Sequence, residues 1–191
     1  MFTTARLLAR RWRMEDAAAM LAMYSDPEVT RYIGGRTVPD LEHQRRDLAR
    51  YIGDYEKYDG RLGGWALEER TTGAVVGSIL LNPLPDAEGH RDPSGAIQVG
   101  WHLARTVWGK GYATEAGIAA LSVGFERLGL LDIFAVIEPE NHRSMRVVER
   151  IGMEYLGRQR RFYSGIELEV FKMTRAQWRT YQEISSLKPS T

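Results

Sequence analysis

Apolar residues along this chain fall into two rhythms. In "AIQVGWHLA" (Ala96–Ala104) every second residue is apolar: Ile97, Val99, Trp101 and Leu103. That alternation predicts a strand with one buried face. In "TEAGIAALSVGFERLGL" the residues Ile118, Leu121, Phe125 and Leu128 recur at spacings of three and four, which predicts a helix opening at Thr114. Strands are also predicted at "RLLARRWR" (Arg6–Arg13), "WALEE", "AVVGSILL" (Ala74–Leu81) and the apolar run "DIFAVI" (Asp132–Ile137). Helices are predicted at Ala17–Asp26, with Asp16 as N-cap, and at Pro39–Tyr58, where Leu41, Leu48, Ile52 and Tyr55 lie near helical spacing. Gly60, Gly63 and Gly64 read as a break after the second helix. "EPENHRSMRVVERIGM" predicts a turn, a cap at Asn141 and a helix to about Ile151, stopped by Gly152. A hairpin from "EYLGRQRRFY" and "IELEVFKM", then a short helix "RAQWRTYQEI", close the pattern.

The order of these elements is mixed. Two helices and an antiparallel pair come first, and strands alternate with helices afterwards. This predicts an α+β (mixed α/β) fold with a crossover unit in Ala96–Ile137. With 191 residues the expectation is a single domain over 1–184 and a short tail at 185–191. "NPLPDAEGHRDPSG" (Asn82–Gly95) holds three prolines and two glycines and is the segment expected to be disordered.

Composition narrows the function classes. A net charge of +1 gives no reason to expect nucleic acid or a membrane as partner. The absence of cysteine removes disulfides, thiolate zinc sites and a cysteine nucleophile. His43, His90 and His102 show no metal-ligand spacing, so no metal is expected. "MFTTARLLARRWR" lacks the apolar core of a secretory signal, and a cytoplasmic protein is the expectation.

The candidate chemistry centres on "WGKGYAT" (Trp108–Thr114), between the strand and the helix. Glycine at 109 and 111 permits a sharp turn and close approach of a ligand to the backbone. The first amides of the helix lack internal acceptors and favour an anion. Lys110 adds a cation. A plain strand-to-helix connection remains the alternative. The P-loop spacing is absent, and Thr114 replaces the third glycine of a dinucleotide fingerprint.

Gly100–Gly152 resembles the core of the GCN5-related N-acetyltransferases, in particular their RimJ/RimL-like ribosomal-protein-alanine acetyltransferase branch. "WGKGYA" matches the family loop Gln/Arg-x-x-Gly-x-Gly/Ala at Gly111 and Ala113, with Trp108 in the first position. "PENHRSMRVVERIGM" is similar to the branch signature P-x-N-x-x-S-x-x-V/L-x-x-x-L/I-G-F/M. The N-terminal strand and helix also resemble the branch.

The resemblance implies the GNAT fold: a mostly antiparallel twisted sheet with a splayed parallel strand pair, flanked by helices. It implies acetyl transfer from acetyl-CoA, as cosubstrate, to a primary amine, either a peptide N-terminus or a small molecule. Trp101 and Leu103 would line the pantetheine arm, and Trp108, Gly109, Lys110, Gly111, Tyr112, Ala113 and Thr114 the pyrophosphate. Asn141 would contact the cofactor or order the helix start, and Ser144 would protonate the leaving thiolate. A plain N-cap for Asn141 and a local backbone bond for Ser144 are the alternatives. The strand before the loop carries no carboxylate, so the base falls to His102, to Glu138 or to a water relay. An α-amine, with a pKa of about 7.7–8, needs less help than a lysine. A catalytically silent acyl-CoA-binding module is the rival reading, and a homodimer is left open. "GRQRR" (Gly157–Arg161) would draw an acidic substrate or form a solvated hairpin face.

Overall fold

The computed structural model describes residues 2–92 and 95–186. Chain contacts divide it into two units, residues 1–82 with 99–120, and residues 83–98 with 121 onward.

The first unit orders its strands β1 (Phe2–Thr3), β2 (Leu7–Arg10), β3 (Gly63–Glu69) and β4 (Val75–Pro83), with β5 (Ile97–Leu103) next. The pairs from β1 to β4 are antiparallel. β3 starts at Gly63 rather than at Trp65; a Cβ at Gly64 would come 2.8 Å from Leu80 and 2.9 Å from the Tyr51 ring, and one at Gly63 3.3 Å from the Tyr55 ring. Helices α1 (Ala17–Tyr24), α2 (Pro27–Thr30) and α3 (Leu41–Lys57) enclose a core of Trp12, Met20, Met23, Tyr24, Val29 and Leu48. Asp40 caps α3 by accepting from the His43 amide at 2.8 Å. Asp16 does not cap α1. Its carboxylate is taken by Arg10, through bonds of 2.7 and 2.9 Å, and by the Arg13 amide. Burial opposes ionisation of Asp16, but these bonds win and hold its carboxyl below the ordinary range.

β5 begins in the second unit, where Gln98 stands opposite Phe134 in the parallel pair with β6 (Asp132–Ile137). The order then runs β6, β8 (Leu168–Thr174), β7 (Glu154–Gln159), with both further pairs antiparallel. α5 (His142–Arg150) packs on β6, and α6 (Arg175–Ser186) on β8. The strands are thus mostly antiparallel with one parallel pair and flanking helices, the mixed architecture that the pattern predicts. The segment expected to be disordered is in part ordered. Pro83, Leu84 and Pro85 are buried, and Asp86 bridges to Phe162. Residues 93–94 of that segment, and the tail from 187, lie outside the described residues.

Candidate functional site

β5 ends at Leu103, and a short 3-10 turn (Arg105–Val107) leads to Trp108. The Trp108 indole donates to the Leu103 carbonyl at 2.8 Å, so this side chain closes the turn by its own hydrogen bond. Gly109 and Gly111 adopt φ of 78° and 81°, a left-handed conformation that disfavours other residues. Helix α4 (Tyr112–Ser122) starts at Tyr112, two residues before the predicted Thr114, and gives way to a π-helical turn at Val123–Arg127. The Glu115 amide bonds back to the Gly111 carbonyl at 3.0 Å. The amides before it have no helical carbonyl to reach and lie at the positive end of the helix dipole.

The loop is fixed from outside. Arg6 donates from Nη1 to the Lys110 carbonyl at 2.7 Å and from Nε to Glu115 at 2.6 Å. Its guanidinium sits 4.7 Å from the centre of the Tyr112 ring. Thr4 Oγ1 and the Arg6 amide donate to the other Glu115 oxygen at 2.6 and 2.8 Å. Tyr112 is buried, and its hydroxyl donates to Glu69. Burial pushes the Glu115 carboxyl up, but the bonds from Thr4 and Arg6 outweigh it and hold Glu115 ionised. The bond from Tyr112, then that from Thr72, lowers Glu69. Both carboxylates near the loop are therefore committed to protein partners. Lys110 is exposed and makes no ion pair among the described residues. These features suit a polyanion: among the described residues the loop offers helix-start amides and the exposed Lys110, while Glu69 and Glu115 are engaged by protein donors. A Cβ at Gly111 would lie 3.3 Å from the Arg6 guanidinium, and one at Gly109 would meet nothing within 4 Å.

Of the other residues expected in the first unit, Trp101, Ala113 and Thr114 are half-buried and Leu103 is buried. Among the described residues the hydrogen-bond partner of the His102 ring is a tyrosine, not a carboxylate. The His102 Nδ1 lies 2.8 Å from the Tyr24 hydroxyl, with the two rings edge-to-face at 81°. Burial pushes the imidazole down to about 4, so it is neutral near pH 7. Behind it, β4 presses close: a Cβ on Gly77 would come 2.5 Å from the His102 carbonyl oxygen.

In the second unit Asn141 caps α5, accepting from the Ser144 amide at 3.2 Å. Both side chains are half-buried. Glu138 follows the last residue of β6 and is also half-buried. Burial, then the neighbouring Glu140 charge, raises its carboxyl above the ordinary range. The two candidate bases are thus tuned in opposite directions, His102 weakened and Glu138 strengthened.

The pattern misses Thr4, Arg6, Glu69 and Tyr24, which act on the loop and on His102 from distant parts of the chain. Only Glu115 carries a local signal, as an acidic residue in the first turn of a helix.

The acetyltransferase (GNAT) domain family matches residues 6–154. The uncharacterized N-acetyltransferase p20 of Bacillus licheniformis is 32% identical over 154 residues, covering 81% of this chain and 82% of that protein. A GNAT-family acetyltransferase from Bacillus anthracis superposes with a TM-score of 0.75 at 25% identity, covering 91% of this chain and 98% of the other. RimL, a ribosomal alpha-N-protein acetyltransferase solved with coenzyme A, shares the fold at a TM-score of 0.70 and 14% identity, covering 90% and 95%. Matched over most of its length, the chain belongs to the GNAT family of acetyltransferases.

Proposed function

We propose that this acetyltransferase moves the acetyl group of acetyl-CoA to a primary amine by direct attack in a ternary complex, as a RimJ/RimL-like enzyme does. The observation that carries the reading is the Gly109–Gly111 turn, left-handed at both glycines and tied to Arg6 at the mouth of a helix. The amides of residues 109–114 would hold the pyrophosphate, with Lys110 adding charge. Trp108, spent on the Leu103 carbonyl, would leave that task to the backbone.

The neutral amine attacks the thioester carbonyl carbon. The oxyanion formed is held by a backbone N–H in the Val99–Leu103 stretch. As the intermediate collapses, the carbon–sulfur bond breaks, the amine loses a proton and the thiolate gains one. Ser144 is our candidate donor to sulfur. Glu138 is our candidate acceptor of the amine proton, directly or through water, since its raised pKa suits a base better than the lowered pKa of His102. Asn141 holds the helix start that carries Ser144.

The test is acetyl-CoA turnover with a panel of peptide α-amines and small amines. Free thiol and acetylated amine, the latter identified by mass spectrometry, should appear in equal amounts. Thiol release that no amine stimulates would overturn the proposal.

A further inference from the structure

The basic run Gly157–Arg161 separates into two kinds of arginine. Arg158 pairs with Glu169 at 2.8 Å and reaches Glu167 at 3.5 Å, and Arg160 pairs with Glu167 at 3.1 Å. Their charge is answered within the hairpin. Arg161 makes no ion pair among the described residues. Its guanidinium instead lies over Phe162, 4.7 Å from the ring centre, and Phe134, at 5.4 Å. Those two rings pack 5.9 Å apart. Arg91, also without an ion pair among the described residues, stands 5.9 Å from the centre of the next ring, Tyr163, and donates from Nη1 to the Pro83 carbonyl at 2.6 Å.

The aromatic floor beneath these two cations is built rather than incidental. The Tyr163 hydroxyl accepts from Gln98 Nε2 at 2.7 Å, and Gln98 is only 5% exposed. Tyr163 and Ser164 take φ of 49° and 56°, which costs energy for side-chain-bearing residues. Bonds from the Tyr163 amide to Pro85 O (3.1 Å) and from the Ser164 amide to Asp86 O (3.3 Å) hold that conformation. Among the described residues neither Asp86 nor Glu88 forms an ion pair with Arg91 or Arg161. Asp86 accepts from the Glu88 and His90 amides at 3.0 and 2.8 Å, and its side chain gathers with those of Glu88 and His90.

A guanidinium resting on a ring face keeps its N–H edge available, and that edge matches a carboxylate. Gln98, which anchors the floor, immediately precedes the β5 stretch assigned to the oxyanion. We infer that Arg91 and Arg161 form a receptor for carboxylates on the acceptor, so that the favoured amines are those of acidic peptides. This inference rests on the acetyl-transfer reading.

Two peptides of equal length test it, Ser-Asp-Glu-Asp-Gly and Ser-Asn-Gln-Asn-Gly. For each, kcat/KM is measured with acetyl-CoA, and equilibrium binding is measured by calorimetry in the presence of CoA. The proteins are wild type, Arg91→Ala, Arg161→Gln and the double variant. Both side chains are exposed, so all four should melt alike. Wild type should prefer the acidic peptide by about tenfold or more, the worth of one charge-assisted bond. The double variant should bring that ratio to about one and leave the acetyl-CoA KM unchanged, and added salt should shrink the wild-type ratio. Equal use and equal binding of the two peptides by wild type, or a preference that survives in the double variant, would overturn the receptor. Turnover without preference overturns the receptor and spares the transfer reading. Preferential binding without any turnover does the reverse.

Discussion

The loop at Trp108–Thr114 and the helix start at Asn141–Ser144 solve similar problems by opposite means. Each presents the first turn of a helix. The loop is held by Thr4, Arg6 and Glu69, residues 43 or more positions away in the chain. The helix start is held by its own cap, a bond that spans three positions. The two left-handed glycines bring no side chains to the turn, so beyond the Trp108 bond to Leu103 the loop depends on residues distant in the chain. In our reading the two regions also divide the labour: the loop binds, while the helix start and the nearby end of β6 do chemistry. Substitutions in the first should move KM, and those in the second kcat.

Glu138→Gln offers the largest contrast, with kcat/KM lower by about 10- to 100-fold. His102→Gln should cost much less, because burial has already weakened that imidazole. A larger loss in the histidine variant would reverse the assignment. The acid limb of the rate profile should lie above the ordinary carboxylate range, where Glu138 takes up a proton, and should vanish in Glu138→Gln.

Ser144→Ala should lower kcat by about tenfold with little change in the acetyl-CoA KM, as for an interaction made only in the transition state. An unchanged kcat would reduce Ser144 to a residue of the helix start.

Arg6→Ala should raise the acetyl-CoA KM several-fold, on the order of 1 kcal/mol of lost loop order, at unchanged kcat. A fall in kcat alone would break the division between the two regions. Asn141→Ala should cost about 1 kcal/mol of stability, read from denaturant melts.

His102 makes stability depend on pH. Its folded pKa is about 4, against about 6.5 in an unfolded chain. Between these values the unfolded chain binds the proton and the folded chain does not, so this site lowers stability as pH falls from about 6.5 toward 4. His102→Gln should flatten the acid side of a plot of stability against pH.

Legibility in the sequence followed the range of the interaction. α3 is legible from its helical spacing, α5 from the Asn141 cap and the Gly152 stop, and β6 from its apolar run, because each of these signals is local. The Asn141 cap was readable because cap and amide lie three residues apart. Asp16 looks like a cap in sequence, but its competing partner, Arg10, comes from the preceding strand. The sequence pattern opens α4 two residues late, since Tyr112 looks like a loop residue without its bond to Glu69. The same limit hid Arg6 and Tyr24: nothing local marks an arginine as a brace or a tyrosine as the partner of a distant histidine. "GRQRR" reads as one basic run in sequence, and only the geometry separates Arg161 from its paired neighbours.

In our reading the glycine turn is the acyl-CoA cradle of a working acetyltransferase. The most direct measurement compares wild type with Gly111→Glu for thermal stabilisation by CoA and for turnover of acetyl-CoA with an amine that wild type uses. Glutamate at 111 brings a side chain into a left-handed position and a negative charge to the mouth of the helix. We expect a folded variant that CoA no longer stabilises and that releases almost no thiol. A folded variant that still gains stability from CoA, or still acetylates the amine at the wild-type rate, would contradict that reading.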